Sequence, residues 1–423
     1  MKTIKKLLPV LTVLAATLTA TNAYATDGYF AHGYGVKAQG MGGVGIALPQ
    51  DALAAATNPA GMGLIGDRVD FGLTWFRPQR ETELVNTAGG SGFFDGTYKA
   101  NDTENFFIPE FGYNRQFNPD VTLGVSVYGN GGMNTDYKKG IPLFGSTGSA
   151  GVDLAQLFIA PTVTWKLTPA NTIGLSLNLA YQRFEARGLQ GFAGFSSSPN
   201  NLSDRGHDNS FGAGVHIGWI GQLNDAVSLG ATYQSRTYMS KLDKYKGLFA
   251  EQGDFDIPSS FGVGIAVKAT PALTMAADVQ HINYNEVASI GDDSISKLLA
   301  GDRLGASNGP GFGWKDATAV KLGVSYAYSD NLTLRAGYNH VNQPIRSADT
   351  FVNILALGVV EDHITLGATW VLQNKSELSF AYMHAFENEV KGRNSIPNNP
   401  LGGGNSNIKM YQDSIGIAYG WKL

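Results

Sequence analysis

From Arg68 onward, apolar side chains alternate with small or polar ones in one segment after another. In Ala317–Tyr328, one face carries Val320, Leu322, Val324 and Tyr326, and the other carries Ala319, Lys321, Gly323 and Ser325. Successive side chains of a β-strand point to opposite faces, so each segment has one face suited to hydrocarbon and one that tolerates water. The pattern predicts amphipathic β-strands along most of the chain.

Fourteen segments show this alternation: Arg68–Pro78, Phe106–Asn118, Val121–Asn130, Val152–Leu167, Thr172–Phe184, Phe211–Leu223, Val227–Tyr238, Pro258–Ala269, Leu273–Tyr284, Ala317–Ser329, Leu332–Val341, Glu361–Leu372, Lys375–His384 and Met410–Trp421. Most contain 10–13 residues, close to what a tilted strand needs to cross a membrane. An even strand number is typical of bacterial outer-membrane barrels. We therefore predict an all-β fold, a 14-stranded antiparallel transmembrane β-barrel.

The connections between these segments alternate between short turns, such as Asp330-Asn331, and long loops, such as Glu185–Ser210. In outer-membrane barrels the turns are periplasmic and the long loops extracellular. Four tryptophans lie near the turn ends of their strands, where aromatic side chains mark the boundary of membrane and water: Trp165, Trp219, Trp370 and Trp421. A soluble β-sandwich, the alternative, would not require this alternation of turns and loops.

The first 25 residues have the three parts of a secretory signal peptide. A lysine-containing start precedes the apolar stretch Leu7–Ala20, and Ala23-Tyr24-Ala25 is a small-x-small cleavage site. Cleavage is expected after Ala25. A membrane anchor is the alternative, but the apolar run is shorter than the ~20 residues that a spanning helix needs.

Residues 26–67 do not alternate and are rich in glycine and then alanine. Helix propensity predicts a short helix over Asp51–Thr57, which would end at Asn58 because the residue before a proline avoids the α-helical region. Such a segment can hang in the periplasm or fold into the lumen that a fourteen-stranded barrel leaves open. We predict a signal peptide (1–25), a hatch or plug (26–67) and a barrel (68–423). Asn58, Pro59 and Ala60 are predicted to lie inside the barrel and hold the plug in place.

Composition and motifs argue against enzymatic chemistry. The formal net charge of −4 argues against a nucleic-acid partner. The chain has no cysteine, and its seven histidines form neither an HxxxH nor an HExxH spacing. The sequence GYGVKAQG resembles a phosphate-binding loop, but no strand precedes it. We expect no catalytic site, no metal and no cofactor.

Charged residues on the small or polar face of the strands are expected to be solvated, because charges are ordinary in a water-filled barrel lumen. The residues concerned are Lys166, Lys268, Asp278, Lys321, Arg335 and Glu377.

An ordered set of motifs resembles the FadL/TodX family of outer-membrane transporters for long-chain fatty acids and aromatic hydrocarbons. The Gly-rich GYGVKAQGMGGVGIA precedes DALAAATNPAGM, whose Asn58-Pro59-Ala60 matches the NPA of the family's N-terminal hatch. LGVSVYGNGGMNTDY resembles the family's third strand, and GFGWKDATAVKLGVSYAYSDNLTLRAGY its tenth and eleventh. Two features differ: the Glu185–Ser210 loop lacks the helical insertion of the fatty-acid branch, and Leu423 stands where barrels more often end in phenylalanine.

The resemblance implies a passive channel for uptake of hydrophobic small molecules, a long-chain fatty acid or a related hydrocarbon. Lys315 matches the lysine of the family's G-F-K-D motif, and Arg187 lies near its basic residue after the fifth strand; both are predicted ligand contacts for a carboxylate. The family bends its third strand inward, which predicts a lateral opening at Phe106, Pro109, Gly129, Asn130, Gly131 and Gly132. Proline removes a ladder donor and glycine often marks a bulge, which favours the same place.

Apolar loop residues are candidates for a capture surface: Leu143, Phe144, Phe192, Phe195, Leu248 and Phe249. The expected partners are the hydrophobic substrate and the lipid and lipopolysaccharide of the outer membrane, and the chain is expected to be a monomer. Two alternatives stay open. One is a general diffusion porin, whose lumen a folded loop would constrict, and the other is a structural or adhesin barrel without a transported ligand.

Overall fold

The computed structural model describes residues 27–423, so the predicted signal peptide lies outside the described residues. The strands are β1 (Arg68–Val85), β2 (Gly96–Lys99), β3 (Phe106–Gln116), β4 (Val121–Tyr137), β5 (Ala150–Thr168), β6 (Asn171–Arg187), β7 (Asp208–Gln222), β8 (Val227–Gln234), β9 (Tyr238–Met239), β10 (Ser260–Lys268), β11 (Leu273–Ile282), β12 (Ala317–Ser329), β13 (Leu332–Val341), β14 (Asp362–Val371), β15 (Glu377–Val390) and β16 (Asn405–Lys422). Fourteen of them pair antiparallel in chain order, and β16 pairs with β1 to close the ring. The short β2 and β9 extend β1 and β7 on the loop side. All fourteen predicted strands are confirmed.

The two faces of each strand differ as the alternation predicts. On β12, the outward Val320, Leu322 and Val324 are 41%, 49% and 37% exposed, whereas the inward Lys321 is 3% exposed. A protein whose exposed side chains are apolar and whose polar side chains are buried suits lipid as its solvent. The closed ring also pairs the backbone groups that an open sheet edge would expose.

Several strands continue further on the loop side than their side-chain alternation predicted. Residues Gln79–Val85 of β1 pair with Asn405–Tyr411 of β16, although the predicted strands stop at Pro78 and start at Met410. Outside the membrane neither face of a strand is reserved for hydrocarbon, so the alternation fades while the backbone pairing persists.

The helices within residues 27–423 are all short. The α-helices are Val36–Gln39, Ala54–Thr57, Ala250–Gly253, Ala288–Gly291 and Ile295–Ala300, and the 3₁₀ turns are Pro59–Leu64, Pro142–Phe144, Gln190–Phe195, Pro199–Asn201, Asp243–Tyr245, Tyr284–Glu286 and Val352–Ile354. Within residues 27–423, no helix has the length and apolar character needed to cross a bilayer. The predicted Ala-rich helix is confirmed for its last four residues, and Asn58 ends it with extended backbone.

Residues 27–67, here called the N-terminal segment, lie inside the ring of strands. Glu110 of β3 accepts hydrogen bonds from the backbone N–H groups of Gly35 (3.1 Å) and Val36 (3.0 Å). Across the lumen, the β14 hydroxyl of Thr365 accepts from Gly42 N–H at 2.7 Å. A side chain at Gly337 of β13 would place its Cβ 2.1 Å from the Gly42 nitrogen. The backbone of the segment therefore packs directly against opposite sides of the wall.

Candidate functional site

An apolar pocket, here called the loop pocket, lies among the long connections on the loop side. Its free space is about 50 Å³, within a region of about 560 Å³ that includes open solvent. Its lining includes four of the six predicted capture residues: Phe144, Phe192, Leu248 and Phe249. Leu298, Phe312 and Leu355 from three other loop positions complete the apolar wall. The pocket therefore offers a binding surface for an apolar molecule at the outer end of the barrel.

A series of aromatic rings links the loop pocket to the start of the N-terminal segment. The Phe249 ring lies 4.7 Å from Phe255, which lies 6.3 Å from Tyr29, and the Tyr29 ring lies 5.3 Å from Phe30. The hydroxyl of Tyr284 accepts from the N–H groups of Tyr29 and Phe30 and donates to the Asp27 carbonyl oxygen. These contacts hold Tyr29 and Phe30 across the inner end of the aromatic series.

The hydrogen-bonded ladder between β3 and β4 is short. Among the described residues it runs from the pair Gln116–Thr122 to the pair Phe111–Val127 and stops there. Beyond this point Phe106–Pro109 still pair with β1, but they no longer pair with β4. The end of the ladder falls where the sequence places Pro109 and the Gly129–Gly132 stretch.

The β4 strand turns toward the interior where it leaves β3. Every residue from Ser126 to Met133 is buried, in place of the alternation seen on lipid-facing strands. Its register with β5 shifts between Gly129 and Gly131. The N-terminal segment occupies the freed edge: Ala31 N–H donates to the Asn130 carbonyl oxygen at 3.1 Å, and Gly132 N–H donates to that of Tyr29 at 3.0 Å.

Asn58, Pro59 and Ala60 lie against the wall formed by β6, β7 and β8. The fully buried Asn58 Nδ2 donates to the carbonyl oxygens of Ile46 (2.7 Å) and Trp219 (3.1 Å), and its Oδ1 accepts from Ala60 N–H at 3.1 Å. A Cβ at Gly174 of β6 would lie 2.3 Å from the Pro59 carbonyl carbon. Only strands with glycine at such points admit the triplet this closely.

Ion pairs that the sequence did not suggest fasten the segment to the strands. Asp27 pairs with Lys321 of β12 at 2.9 Å, and Lys37 pairs with Glu377 of β15, which also accepts from Arg68 at 2.9 Å. The expectation that Asp278 and Lys321 are solvated is wrong, because the segment fills the space around them and each is 3% exposed. In the sequence, only their position on the polar face of a strand indicated that Asp278 and Lys321 point into the barrel. Their binding partners lie far away in the chain, so the sequence did not indicate them.

The two predicted ligand cations lie outside the loop pocket's lining. Lys315 is exposed, and its backbone N–H donates to the Pro344 carbonyl oxygen at 2.9 Å. Arg187 is partly exposed and pairs with Asp136 at 3.3 Å. Each follows or precedes a lining residue closely in sequence, Lys315 after Phe312 and Arg187 before Leu189.

The ring of strands is closed and its outer surface is apolar. Its lumen is filled by the N-terminal segment, and an apolar pocket lies among its loops. These features define a transmembrane β-barrel for hydrophobic solutes. Residues 12–409 match the family described as "Outer membrane protein transport protein (OMPP1/FadL/TodX)". The chain belongs to this family of outer-membrane transporters for hydrophobic molecules. It is a β-barrel of the outer membrane of a Gram-negative bacterium, and it is a channel and not an enzyme.

Individual relatives are distant in sequence. The chain is 24% identical over 344 residues to a long-chain fatty acid transport protein of Salmonella typhi, covering 73% of this chain and 76% of the relative. It is 22% identical over 355 residues to that of Escherichia coli (strain K12), with the same coverage of 73% and 76%.

Solved structures show the same fold. The toluene transporter TodX of P. putida aligns with a TM-score of 0.69 at 16% identity, covering 93% of this chain and 99% of that one. A Pseudomonas aeruginosa FadL homologue aligns with a TM-score of 0.70 at 15% identity, covering the same 93% and 99%.

Proposed function

We propose that the chain is a passive uptake channel for a long-chain fatty acid or a related hydrocarbon, with a plugged lumen and a lateral exit into the membrane. The solute would bind first in the loop pocket and pass along the aromatic series. It would leave through the wall between β3 and β4. The observation that carries this proposal is the end of the β3–β4 ladder at the Phe111–Val127 pair.

A side exit suits an apolar solute better than a straight pore. Transfer of apolar surface into water is unfavourable, so a water-filled passage to the periplasm would oppose the movement of a hydrocarbon chain. A hydrogen-bonded barrel wall is closed, and an opening in it requires a local end to the ladder. The wall between Phe106–Pro109 and Gly129–Gly132 meets that requirement.

The N-terminal segment would act as a movable plug. The freed edge of β4 is satisfied by Tyr29 and Ala31, which take the place that β3 leaves. A solute that reaches this point must displace these residues, while Asn58, Pro59 and Ala60 keep the rest of the segment against the opposite wall. The hatch would therefore comprise residues 26–67 and open at its first residues.

Lys315 and Arg187 are proposed to contact the carboxylate of a fatty acid as it enters the loop pocket. Both positions are close in sequence to pocket-lining residues, and a charge-assisted contact is stronger than a neutral one. Lys315→Met and Arg187→Met should each lower uptake of palmitate without lowering uptake of hexadecane. Equal uptake of palmitate by the variants would remove both residues from the proposed site.

The exit is tested by locking the two strands together. Continuing the observed register beyond the end of the ladder would place Pro109 opposite Gly129, so Pro109→Cys/Gly129→Cys can be joined across the gap by a bismaleimide whose spacer contains a disulfide. The chain has no native cysteine, which makes the crosslink specific. Tyr113→Cys/Val125→Cys is the matched control, because these residues already pair across the intact ladder.

Locking Pro109 to Gly129 should abolish uptake of radiolabelled palmitate and hexadecane, and reduction of the disulfide should restore it. The control crosslink should leave uptake unchanged. Normal uptake by the locked protein would show that the solute leaves by another route. No uptake by the unmodified protein, despite normal assembly, would favour the structural or adhesin alternative.

We also propose that the channel works as a monomer surrounded by outer-membrane lipid and lipopolysaccharide.

A further inference from the structure

A second cavity, here called the polar lumen cavity, lies within the barrel between the N-terminal segment and the wall of β7–β12. Its free space is about 20 Å³, within a region of about 480 Å³ that includes open solvent, so it holds one water-sized group. Its wall carries His216, Thr232, Gln234, Asp278, Gln280 and Lys321, and Phe30 and Tyr34 face it from the segment. This cavity is distinct from the loop pocket, whose lining is apolar.

Two buried side chains reach this cavity with one nitrogen each that has no hydrogen-bond partner among residues 27–423. They are Nδ1 of His216 and Nε2 of Gln234, whose side chains are 3% and 6% exposed. The two residues lie directly opposite each other on β7 and β8. A buried polar group without a partner is costly, so the pair marks a place for a hydrogen-bonding ligand group.

The hydrogen bonds around these residues limit what they can offer to a ligand. The Thr232 hydroxyl lies 3.3 Å from the Ile217 carbonyl oxygen and 2.6 Å from His216 Nε2. The Thr232 hydroxyl has one proton, so Nδ1 of His216 is an acceptor when that proton goes to Ile217 and a donor when it goes to Nε2. The Gln234 Oε1 accepts from Asn178 at 3.2 Å, so its amide presents the remaining N–H to the cavity. A hydroxyl group suits both tautomers, because it can donate to Nδ1 or accept from it while it accepts from the Gln234 N–H.

The charges in the cavity wall are already neutralised or engaged. Lys321 Nζ pairs with Asp27 and donates to the His32 carbonyl oxygen at 2.8 Å. Asp278 accepts from the N–H groups of Gly45 and Ile46 at 2.7 and 3.0 Å. An anionic carboxylate would find no uncommitted cation among the lining residues, and its desolvation would oppose binding. The cavity therefore suits a neutral polar group.

The side of the cavity toward the β3–β4 gap is aromatic. Phe30 pairs through its backbone with Gly131, and the Tyr34 ring lies 4.7 Å from that of Tyr128 on β4. When a solute displaces the first residues of the N-terminal segment, its apolar chain can lie against the Tyr34 and Tyr128 rings while its polar end reaches His216 and Gln234. We infer that the polar lumen cavity binds the hydroxyl of a hydrophobic alcohol, so that the channel accepts neutral hydroxylated hydrocarbons. This inference rests on the proposed uptake function.

The test compares uptake of radiolabelled 1-hexadecanol and hexadecane by cells producing the intact protein or its variants. His216→Leu and Gln234→Leu each remove one hydrogen bond to the hydroxyl, which predicts an about three- to tenfold loss of 1-hexadecanol uptake. Hexadecane uptake should stay unchanged. His216→Asn should restore much of the loss, because its side-chain amide offers an acceptor and a donor in place of Nδ1.

Each remaining outcome has a defined meaning. Unchanged 1-hexadecanol uptake in both leucine variants would overturn the inference, since the cavity would then hold water only, and the proposed uptake function would stand. An equal loss of both solutes, also in His216→Asn, would overturn it because these residues would be structural. No uptake of either solute by the intact protein would refute the uptake function and the inference together.

Discussion

The seating of the N-terminal segment depends on Asn58, and Asn58→Ala should loosen it. The side chain is fully buried and joins the segment to β7 and to the preceding turn. Its Nδ2 donates to Ile46 and Trp219, with a longer contact of 3.4 Å to Ala231, and its Oδ1 accepts from Ala60. Alanine removes all of these hydrogen bonds. The carbonyl oxygens of Ile46 and Trp219 and the N–H of Ala60 then lose the hydrogen bond to residue 58.

The expected cost follows from those buried groups. Leaving a buried donor or acceptor unsatisfied costs about 1–3 kcal/mol, and relaxation of the segment offsets part of the sum. We take about 2 kcal/mol for the whole site, which corresponds to a roughly 30-fold larger population of the unseated segment. Asn58→Asp should be at least as severe, because a carboxylate oxygen would then face carbonyl oxygens in place of an N–H donor.

Amide hydrogen exchange of peptides covering residues 44–64 measures this population. The rates should rise by roughly 30-fold in Asn58→Ala, while strand peptides keep their protection. Asn342→Ala is the matched control, because it removes bonds to Thr318 N–H (2.7 Å) and the Asp316 carbonyl (3.2 Å) on the loop side. Unchanged exchange in Asn58→Ala would refute the anchoring role assigned to this residue.

Three further outcomes are expected. Deleting residues 26–67 should turn the barrel into a pore that leaks hydrophilic dyes, whereas continued exclusion would contradict the plug. Gly337→Ala, whose Cβ would meet the Gly42 nitrogen at 2.1 Å, should lower the amount of folded protein in the outer membrane, and Gly194→Ala, with nothing within 4 Å of its Cβ, should not. Burial, and then the Asp256 carboxylate, raises the pKa of the loop residue Asp254 to about 6. The folded state then holds a proton that the unfolded state loses above its pKa of ~3.9, so this group's stabilisation falls as pH rises from about 4 to 6. Asp254→Asn should flatten that part of the profile of Tm against pH, and an unchanged slope would contradict the assignment.

The sequence by itself determined the wall of the barrel. Outward side chains contact lipid and inward ones do not, so every strand that crosses the membrane has a two-residue period of apolar side chains. The bounds of β12 and β13 are the ones that this period predicted. Turn chemistry at Asp330-Asn331 and similar places separates neighbouring strands. Pro109 and the glycines of β4 marked the end of a ladder because their local effect on pairing does not depend on distant residues.

Only the tertiary structure decided what fills the barrel and how it is held. Asp27 and Lys321 lie far apart in the chain, and the residues adjacent to each in the sequence do not indicate that the two form an ion pair, with 2.9 Å between Lys321 Nζ and Asp27 Oδ2. Charges on an inward strand face are equally compatible with water and with a buried partner, so the sequence could not distinguish a solvated Lys321 from a paired one. The end of the β3–β4 ladder was readable locally, but its occupation by Tyr29 and Ala31 required the whole segment to be folded into the lumen. Contacts between residues distant in sequence arise from the closed ring, which brings the N-terminal segment against strands from every part of the chain.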